Sequence, residues 1–247
     1  MKVLATYNIK GGVGKTATAV NLSYLAARDG LRVLLADLDP QAAATFTLRV
    51  RPRVKGGGKA LIQGSRELDA AIKGTDFDNL DLLPADFTFR NLDLMLDATK
   101  KPTQRLARLL RPLRASYDLV FLDCPPGISL LSESVLHAAD LALVPIIPTT
   151  LSLRTLDQLT EFISDFDGPR PEVLAFSSMI DRRKRLHKEI AERLPAERKD
   201  VADTAIPALS MIEQMSVRRA PVAAFAPRSA AARAYAQLWA EVRDRLF

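Results

Sequence analysis

A glycine-rich stretch near the start of the chain carries the residues best suited to chemistry. It runs from residue 9 to residue 16 and reads Ile-Lys-Gly-Gly-Val-Gly-Lys-Thr. Glycines allow consecutive backbone N–H groups to turn inward around phosphate oxygens, and a following helix adds its positive N-terminal end. In such a loop Lys15 reaches the β- and γ-phosphates of a nucleotide, and the Thr16 hydroxyl binds Mg²⁺. The sequence therefore predicts a nucleoside triphosphate site.

The elements around this loop are the ones that a phosphate site requires. An apolar run precedes it at residues 3–7, and a helical pattern follows at 16–28. Continuous apolar strands separated by amphipathic helices indicate a mostly parallel sheet covered on both faces. We therefore predict one doubly wound α/β domain of the P-loop NTPase type over residues 1–247. The further predicted strands are 32–36, 80–83, 119–122, 141–145, 173–176 and 201–206, and the further predicted helices are 103–114, 151–166 and 186–194.

One segment does not fit this alternation. Residues 51–59 read Arg-Pro-Arg-Val-Lys-Gly-Gly-Gly-Lys and offer few apolar side chains to a core. Glycine and proline at this density favour loops. We expect an exposed, mobile basic loop at about residues 50–65.

Composition limits the class of protein. With 247 residues and 48% hydrophobic residues, the chain can bury a large core, which argues against disorder. The single cysteine, Cys124, cannot form a disulfide or a multi-cysteine metal site within one chain, which suits a reducing compartment. No apolar stretch approaches the ~20 residues of a membrane span. We expect a cytoplasmic protein that does not bind a membrane.

The positive charge is unevenly distributed. Of a net charge of +6, five charges lie in residues 169–247, and the stretches 41–66 and 98–117 each hold six Lys/Arg and no acid. Such asymmetry favours a polyanionic partner, either nucleic acid or an anionic membrane. Charged faces that serve only solubility would give the same composition.

The phosphate loop departs from the general pattern in a way that points to a family. Ile9 stands where the strict pattern has glycine, and Lys10 adds a second lysine. This resembles the deviant Walker A motif of the ParA/MinD family of partitioning and positioning ATPases, in which the extra lysine reaches the phosphates of the opposite subunit. The resemblance implies catalytic roles for Lys10 in trans and for Lys15 in cis. It also implies a nucleotide site formed by Lys10, Gly11, Gly12, Val13, Gly14, Lys15, Thr16, Ala17 and Pro207.

Two acidic motifs extend the resemblance. Residues 37–41 read Asp-Leu-Asp-Pro-Gln, and the apolar run 119–122 ends at Asp123 like a Walker B strand. In the family the second carboxylate of the first motif orients the attacking water, which implies a catalytic role for Asp39. The resemblance implies a metal site formed by Thr16, Asp37 and Asp123, with Asp37 acting through water. A carboxylate at the carboxyl end of a parallel strand is well placed for Mg²⁺.

The closing segment is also similar to that of the family, at residues 220–222, 227–229 and 234–235. Some positions differ. Ala17 stands where a second threonine is usual, Ala42 and Ala43 replace Gly-Asn, and Ala208 stands where arginine is common. The missing threonine hydroxyl removes one hydrogen bond of ~1 kcal/mol to the α-phosphate.

The resemblance implies an ATPase that uses ATP and Mg²⁺, forms a homodimer when ATP is bound, and hydrolyses slowly until a ParB-like or cargo adaptor protein stimulates it. The ParA branch binds DNA without sequence preference and moves a cargo, which implies a nucleoid-associated protein. Arg228 is the candidate DNA contact that matches the family by motif. Charge clustering adds Arg182, Arg183, Lys184, Arg185, Lys188, Arg218 and Arg219.

Other interpretations remain. In the MinD branch a C-terminal helix binds a membrane, and here an apolar stripe from Tyr235 to Leu246 is the one candidate. Because this stripe begins inside the family's closing helix, we expect it to pack in the core. Two other relatives are set aside. The iron protein of nitrogenase-like enzymes needs two cysteines per subunit, and this chain has only Cys124; related tyrosine kinases carry a tyrosine-rich tail, and this chain has only four tyrosines. A nucleotide-binding scaffold without hydrolysis is the non-enzymatic alternative. The sequence does not identify the cargo.

Overall fold

A seven-stranded sheet forms the centre of the protein in a computed structural model. The structure describes the backbone of residues 1–247 and all side chains except those of residues 60, 63 and 65–67. The strand order is β3-β4-β2-β5-β1-β6-β7, and every neighbouring pair is parallel except β3–β4. The predicted doubly wound, mostly parallel sheet is confirmed.

The strands follow the apolar runs closely, because each is buried on both faces. Their bounds are β1 (Lys2–Thr6), β2 (Val33–Asp37), β3 (Lys73–Gly74), β4 (Leu80–Leu83), β5 (Leu119–Asp123), β6 (Leu141–Ile146) and β7 (Glu172–Ser177). The predicted strand at 201–206 is not formed, and Val201 makes only an isolated bridge to Ala175.

Helices cover both faces of the sheet. They are α1 (Lys15–Arg28), α2 (Ala43–Thr47), α3 (Gly57–Gln63), α4 (Ser65–Ala71), α5 (Leu92–Asp97), α6 (Arg105–Leu110), α7 (Leu130–Ala138), α8 (Thr150–Ser164), α9 (Arg185–Glu197), α10 (Ser210–Arg218), α11 (Val222–Phe225) and α12 (Ala230–Leu246). The predicted helix 103–114 is divided. It gives way to a 3₁₀ turn at Arg111–Ala115, because Pro112 has no N–H to continue the α-helix.

Two apolar cores lie on opposite faces of the sheet. One contains the buried side of α1 and, with it, the apolar stripe of α12. All members of that stripe are at most 4% exposed, and they are Tyr235, Leu238, Trp239, Val242 and Leu246. The expected core packing of the last helix is therefore confirmed. Among the described residues, no helix is long and apolar enough to cross a membrane.

The segment 50–65 differs from the expected unpacked loop. Residues 57–63 form α3, and the side chains of Val54, Leu61 and Ile62 are at most 6% exposed in one of the two cores. The apolar positions are few, but these three face inward. The expectation of an exposed loop is therefore wrong for Val54, Leu61 and Ile62, and its mobility stays a prediction. For the side chains of residues 60, 63 and 65 the expectation lies outside the described part.

Strand register places three acidic or hydroxyl residues side by side. In β1 and β5, Thr6 is paired with Asp123, and in β2 and β5, Asp37 is paired with the same Asp123. All three are the last residues of their strands. The carboxyl edge of the sheet thus brings the predicted metal residues next to the loop after β1.

Candidate nucleotide-binding site

The phosphate loop joins β1 to α1 and is held in a tight turn by two glycines. Gly12 and Gly14 have φ values of +70° and +96°, a region that favours glycine. A Cβ at Gly14 would lie 3.0 Å from Ser178 Oγ, so this position has little space as well. Gly14 is also the N-cap of α1, which directs the free N–H groups of the first helical turn towards the loop.

Buried polar contacts fix the loop to its neighbours. Asn8 donates from Nδ2 to the Pro145 carbonyl at 2.8 Å, and its Oδ1 accepts from the Lys10 N–H at 2.8 Å. The Tyr7 hydroxyl donates to the Gly127 carbonyl at 2.8 Å, and Ser178 Oγ donates to the Val13 carbonyl at 2.9 Å. These anchors were missed in the sequence, where Asn8, Tyr7 and Ser178 lie outside every motif. They hold the loop in shape, and the one loop N–H among them is that of Lys10.

The two lysines of the loop occupy different environments. Lys15 is 7% exposed, and its Nζ donates to the Lys10 carbonyl at 3.0 Å. Burial lowers the pKa of Lys15, although Asp123 and Asp39 act in the opposite direction. The Lys10 side chain is half-buried, and none of the described groups accepts a hydrogen bond from its ammonium. Lys15 is therefore directed into the site of its own chain, while the partner of Lys10 stays a prediction.

Asp123 is the group best suited to bind a cation. Its side chain is fully buried, and Oδ2 has no hydrogen-bond partner among the described atoms. Burial, reinforced by the charge of Asp37, raises the pKa of Asp123 well above its ordinary value. A nearby cation would offset this penalty. Mg²⁺ fits, since it prefers oxygen ligands and is commonly held by few protein groups together with water and phosphate.

The protein groups alone do not form a complete cage. No cluster of three or more His, Cys, Asp or Glu suited to a metal occurs among the described residues. In a site of the Mg²⁺–nucleotide type, the nucleotide and water complete the shell, and Thr16 at the start of α1 and Asp123 would supply the protein's part of it. The assignment of Thr16, Asp37 and Asp123 to the metal stays a prediction.

Asp37 makes contacts that the sequence did not predict. Oδ2 accepts from the N–H of Thr45 at 2.8 Å and from its Oγ1 at 2.7 Å, and Oδ1 accepts from the Asp39 N–H at 3.2 Å. Burial raises the pKa of Asp37 to about 6, and the Thr45 bonds act against this rise. Asp37 therefore fixes the turn that carries Asp39, in addition to any contact with a hydrated metal.

A cleft of about 360 Å³ lies over the loop and collects most of the predicted residues. Its apolar wall is formed in part by Met179, Ile206 and Ile212, which suits a flat organic ring beside a phosphate site. Pro207 is not in the lining, although its neighbour Ile206 is, and Val13 is buried below the loop. The complete lining is Gly11, Gly12, Gly14, Lys15, Thr16, Ala17, Asp39, Pro126, Ser178, Met179, Ile206, Ile212 and Tyr235.

The candidate DNA-binding residues lie in three places. Arg182, Arg183, Lys184, Arg185 and Lys188 are exposed around the start of α9, Arg218 and Arg219 end α10, and Arg228 precedes α12. Several are already paired. Arg183 contacts Asp181 at 2.9 Å, Arg185 contacts Glu189 at 2.6 Å, and Arg219 donates to the Phe46 carbonyl at 2.9 Å.

Known proteins share both the sequence and the fold. A family model described as an AAA domain matches residues 1–173. The chromosome partitioning protein ParA of Caulobacter vibrioides is 34% identical over 99% of this chain and 95% of its own length. The sporulation initiation inhibitor protein Soj of Bacillus subtilis is 32% identical over 98% of both chains.

A solved structure of cobyrinic acid a,c-diamide synthase from Mycobacterium smegmatis, with bound ATP analog and magnesium, superposes with a TM-score of 0.83 and 28% identity, covering 98% of this chain and 94% of that one. It contains the ligands for which the geometry above is suited. Because the match covers nearly the whole chain, the aligned region spans the acidic motifs and the closing helix as well as the loop. The chain therefore belongs to the ParA/MinD family of P-loop ATPases.

Proposed function

We propose that this protein is an ATPase that dimerises with ATP, binds DNA without sequence preference in that state, and thereby segregates or positions DNA or another cargo. The observation that carries the proposal is the phosphate loop itself. Lys15 is buried in its own site, whereas the Lys10 ammonium has no acceptor among the described groups. A second subunit that faces the loop would supply the phosphates for Lys10.

The carboxyl edge of the sheet is suited to such a partner. Four large apolar side chains in the segments that leave this edge are exposed: Ile128 at 57%, Leu151 at 69%, Met179 at 42% and Leu186 at 48%. They follow β5, β6 and β7 on the same edge as the phosphate loop. Apolar side chains grouped around polar machinery support a docking face.

The chemistry asks mainly for position and charge. Phosphoryl transfer to water depends on in-line placement and on neutralising the charge of the γ-phosphate more than on a strong base. When bound, Mg²⁺ would offset charge on the β- and γ-phosphates. Lys15 and the partner's Lys10 would contact the same oxygens, and Asp39 would orient the attacking water. The Asp39 N–H donates to Asp37, and Asp39 Oδ1 accepts from the Gln41 N–H at 2.9 Å. These two bonds fix the position of the Asp39 carboxylate.

DNA is favoured over a membrane as the surface that the dimer binds. The apolar stripe of α12 is buried against the core and is not free to enter a bilayer. The exposed arginines and lysines at α9, α10 and α12 would contact phosphates without reading bases, and a dimer doubles their number. A nucleoid-associated location and an activating ParB-like or cargo adaptor protein are parts of the same proposal.

Co-sedimentation tests the proposal. The protein is mixed with DNA or with anionic liposomes, in ADP or in a slowly hydrolysed ATP analogue, over a series of salt concentrations. We expect retention on DNA with the analogue only, decreasing steeply with salt. Retention that ignores nucleotide and salt, or that occurs on liposomes instead, would overturn it.

A further inference from the structure

Two short helix ends near the catalytic loop are fastened together by arginines. The end of α2 contributes Phe46 and Arg49, and the end of α10 contributes Arg218 and Arg219. We call these four residues the α2–α10 clamp. Phe46 and Arg49 belong to no motif and are not among the candidate DNA contacts.

The clamp is reciprocal. Arg49 donates from Nη2 to the Arg218 carbonyl and from Nε to the Arg219 carbonyl, both at 3.1 Å. Arg219 donates from Nε to the Phe46 carbonyl at 2.9 Å, and its guanidinium lies 4.5 Å from the centre of the Phe46 ring. The last carbonyls of a helix lack partners within it, and cations favour that end. Each helix thus supplies the cap of the other.

Backbone conformation supports a specific role for these contacts. Arg49 and Arg219 have φ values of +62° and +49°, a region that non-glycine residues rarely adopt. Such residues persist when their surroundings hold them in place. Here each of the two arginines directs its guanidinium at the end of the opposite helix. The contacts between the helices therefore hold both arginines in their unfavourable backbone conformation.

Both helices are also tied to the nucleotide site. In α2, Thr45 directly precedes Phe46 and donates from its N–H and its Oγ1 to Asp37, which also accepts from the Asp39 N–H. On the other side, Ile212 of α10 lines the cleft, and Met215 accepts a contact from Asn21 Nδ2 of α1 at 3.2 Å. A shift of the Asp39 turn would therefore be passed to the end of α10, where Arg218 is exposed.

We propose that the α2–α10 clamp couples the nucleotide state of the Asp39 turn to the basic surface at the end of α10. This rests on the proposed DNA binding and adds its regulation. Arg49 and Arg219 act on each other's helix ends, while Arg218 is left for the DNA. The acidic group that also faces the clamp is Asp76, 3.5 Å from Arg49, in an exposed pair of little energetic weight.

The experiment compares Arg49→Met with Arg111→Met, which removes the same charge from an exposed arginine in the 3₁₀ turn after α6. Affinity for a DNA duplex is measured in ADP and in the ATP analogue over a salt series. We expect Arg49→Met to reduce the ratio of the two affinities by about tenfold, equivalent to about 1.4 kcal/mol, with an unchanged salt slope. Arg111→Met should keep the wild-type ratio. A salt slope reduced by about 0.9 with the ratio retained would make Arg49 a phosphate contact and overturn the coupling.

Hydrogen exchange provides a readout that does not depend on DNA. In the wild type, adding the ATP analogue should protect amides in both 43–49 and 210–219. In Arg49→Met, and in Phe46→Ala as a second variant, protection should remain in the first segment and be lost from the second. An α10 response equal to that of the wild type in both variants would contradict the clamp. If wild-type DNA affinity ignores nucleotide while exchange behaves as expected, the proposed function fails and the clamp stands.

Discussion

Two stretches of this chain look alike in sequence and differ in structure. The phosphate loop reads Lys-Gly-Gly-Val-Gly-Lys at residues 10–15, and a second stretch reads Lys-Gly-Gly-Gly-Lys at 55–59. Both hold two glycines at positive φ and both lead into a helix. Only the first follows a buried central strand and stands beside buried carboxylates.

The glycines of the second stretch serve close packing. A Cβ at Gly57 would lie 2.5 Å from Thr88 Oγ1, and the Gly58 N–H donates to that same oxygen at 2.7 Å. The adjacent carboxylate, Asp86, already accepts from the N–H groups of Val54 and Thr88. A stretch rich in glycine and lysine thus predicts a phosphate site only under three conditions. It must follow a central strand of the sheet, its backbone N–H groups must be free, and acidic residues must lie beside it.

The largest expected effect is on ATP affinity, and it compares one lysine from each of the two stretches. Lys15→Ala removes a buried cation directed into the cleft and should weaken binding of Mg²⁺–ATP by about 100-fold or more, since a charged contact contributes up to about 3 kcal/mol. Lys59→Ala is the matched control in the second stretch and should stay within about twofold of the wild type. Calorimetric titration with ATP measures both. Equal losses would show that the two stretches are not distinct in function.

The next effect concerns turnover rather than binding. Asp39→Ala should lower the rate of ATP hydrolysis by about 100-fold, in the range known for groups that position a reacting water, while ATP binding persists and the dimer accumulates. Phosphate release and sizing chromatography with ATP measure the two parts. Asp86→Ala, in the second stretch, should hydrolyse at the wild-type rate. An Asp39→Ala protein that stays monomeric with ATP would count against the dimeric scheme.

A glycine pair tests the packing role of the second stretch. Gly57→Ala places a Cβ against Thr88 at a φ of +61° and should lower the free energy of unfolding by about 2 kcal/mol, without changing ATP affinity. Gly12→Ala has the comparable φ of +70° but no atom within 4 Å. It should cost only about 1 kcal/mol, and it should weaken ATP binding. Urea unfolding and titration with ATP measure each variant. The comparison would be refuted if Gly12→Ala caused the larger loss of stability and Gly57→Ala the loss of ATP binding.

The smallest effect is a contrast in pH dependence. Burial raises the pKa of Asp37 to about 6, so the folded protein holds a proton that the unfolded chain releases near 3.8. This contribution is fully present below the unfolded value and is lost as pH rises to about 6. In the nucleotide-free protein, Asp37→Asn should remove that decline, as measured by urea midpoints across this window.

Asp86 should behave in the opposite way. Burial alone would raise its pKa, but hydrogen bonds from Thr88 and Val54 and the charge of Arg53 leave it below 3.8. Its contribution is therefore present above that value and lost as pH falls further. Asp86→Asn should flatten the acid side of the curve. The same direction of change in Asp37→Asn and Asp86→Asn would show that the two sites do not differ as described.

The sequence predicted the elements that depend on continuous apolar runs and on ordered motifs. The sheet, the loop after β1 and the inward face of α12 are of this kind. The sequence could not predict contacts between distant residues that carry no motif. Ser178 bonds Val13 across 165 positions, and Arg49 meets Arg219 across 170. Helix α3 was missed for a related reason, because its few apolar residues find partners only in the folded chain.

The packing of α12 against α1 has a consequence for synthesis. Helix α1 leaves the ribosome well before the residues that cover it, among them Leu238 and Val242, which come more than two hundred positions later. Until then the apolar side of α1 lacks its native cover, and contacts so far apart in sequence form late. In the nascent chain the phosphate loop is thus followed by a helix whose core is still incomplete. A product that ends before α12 would lack the residues that cover α1.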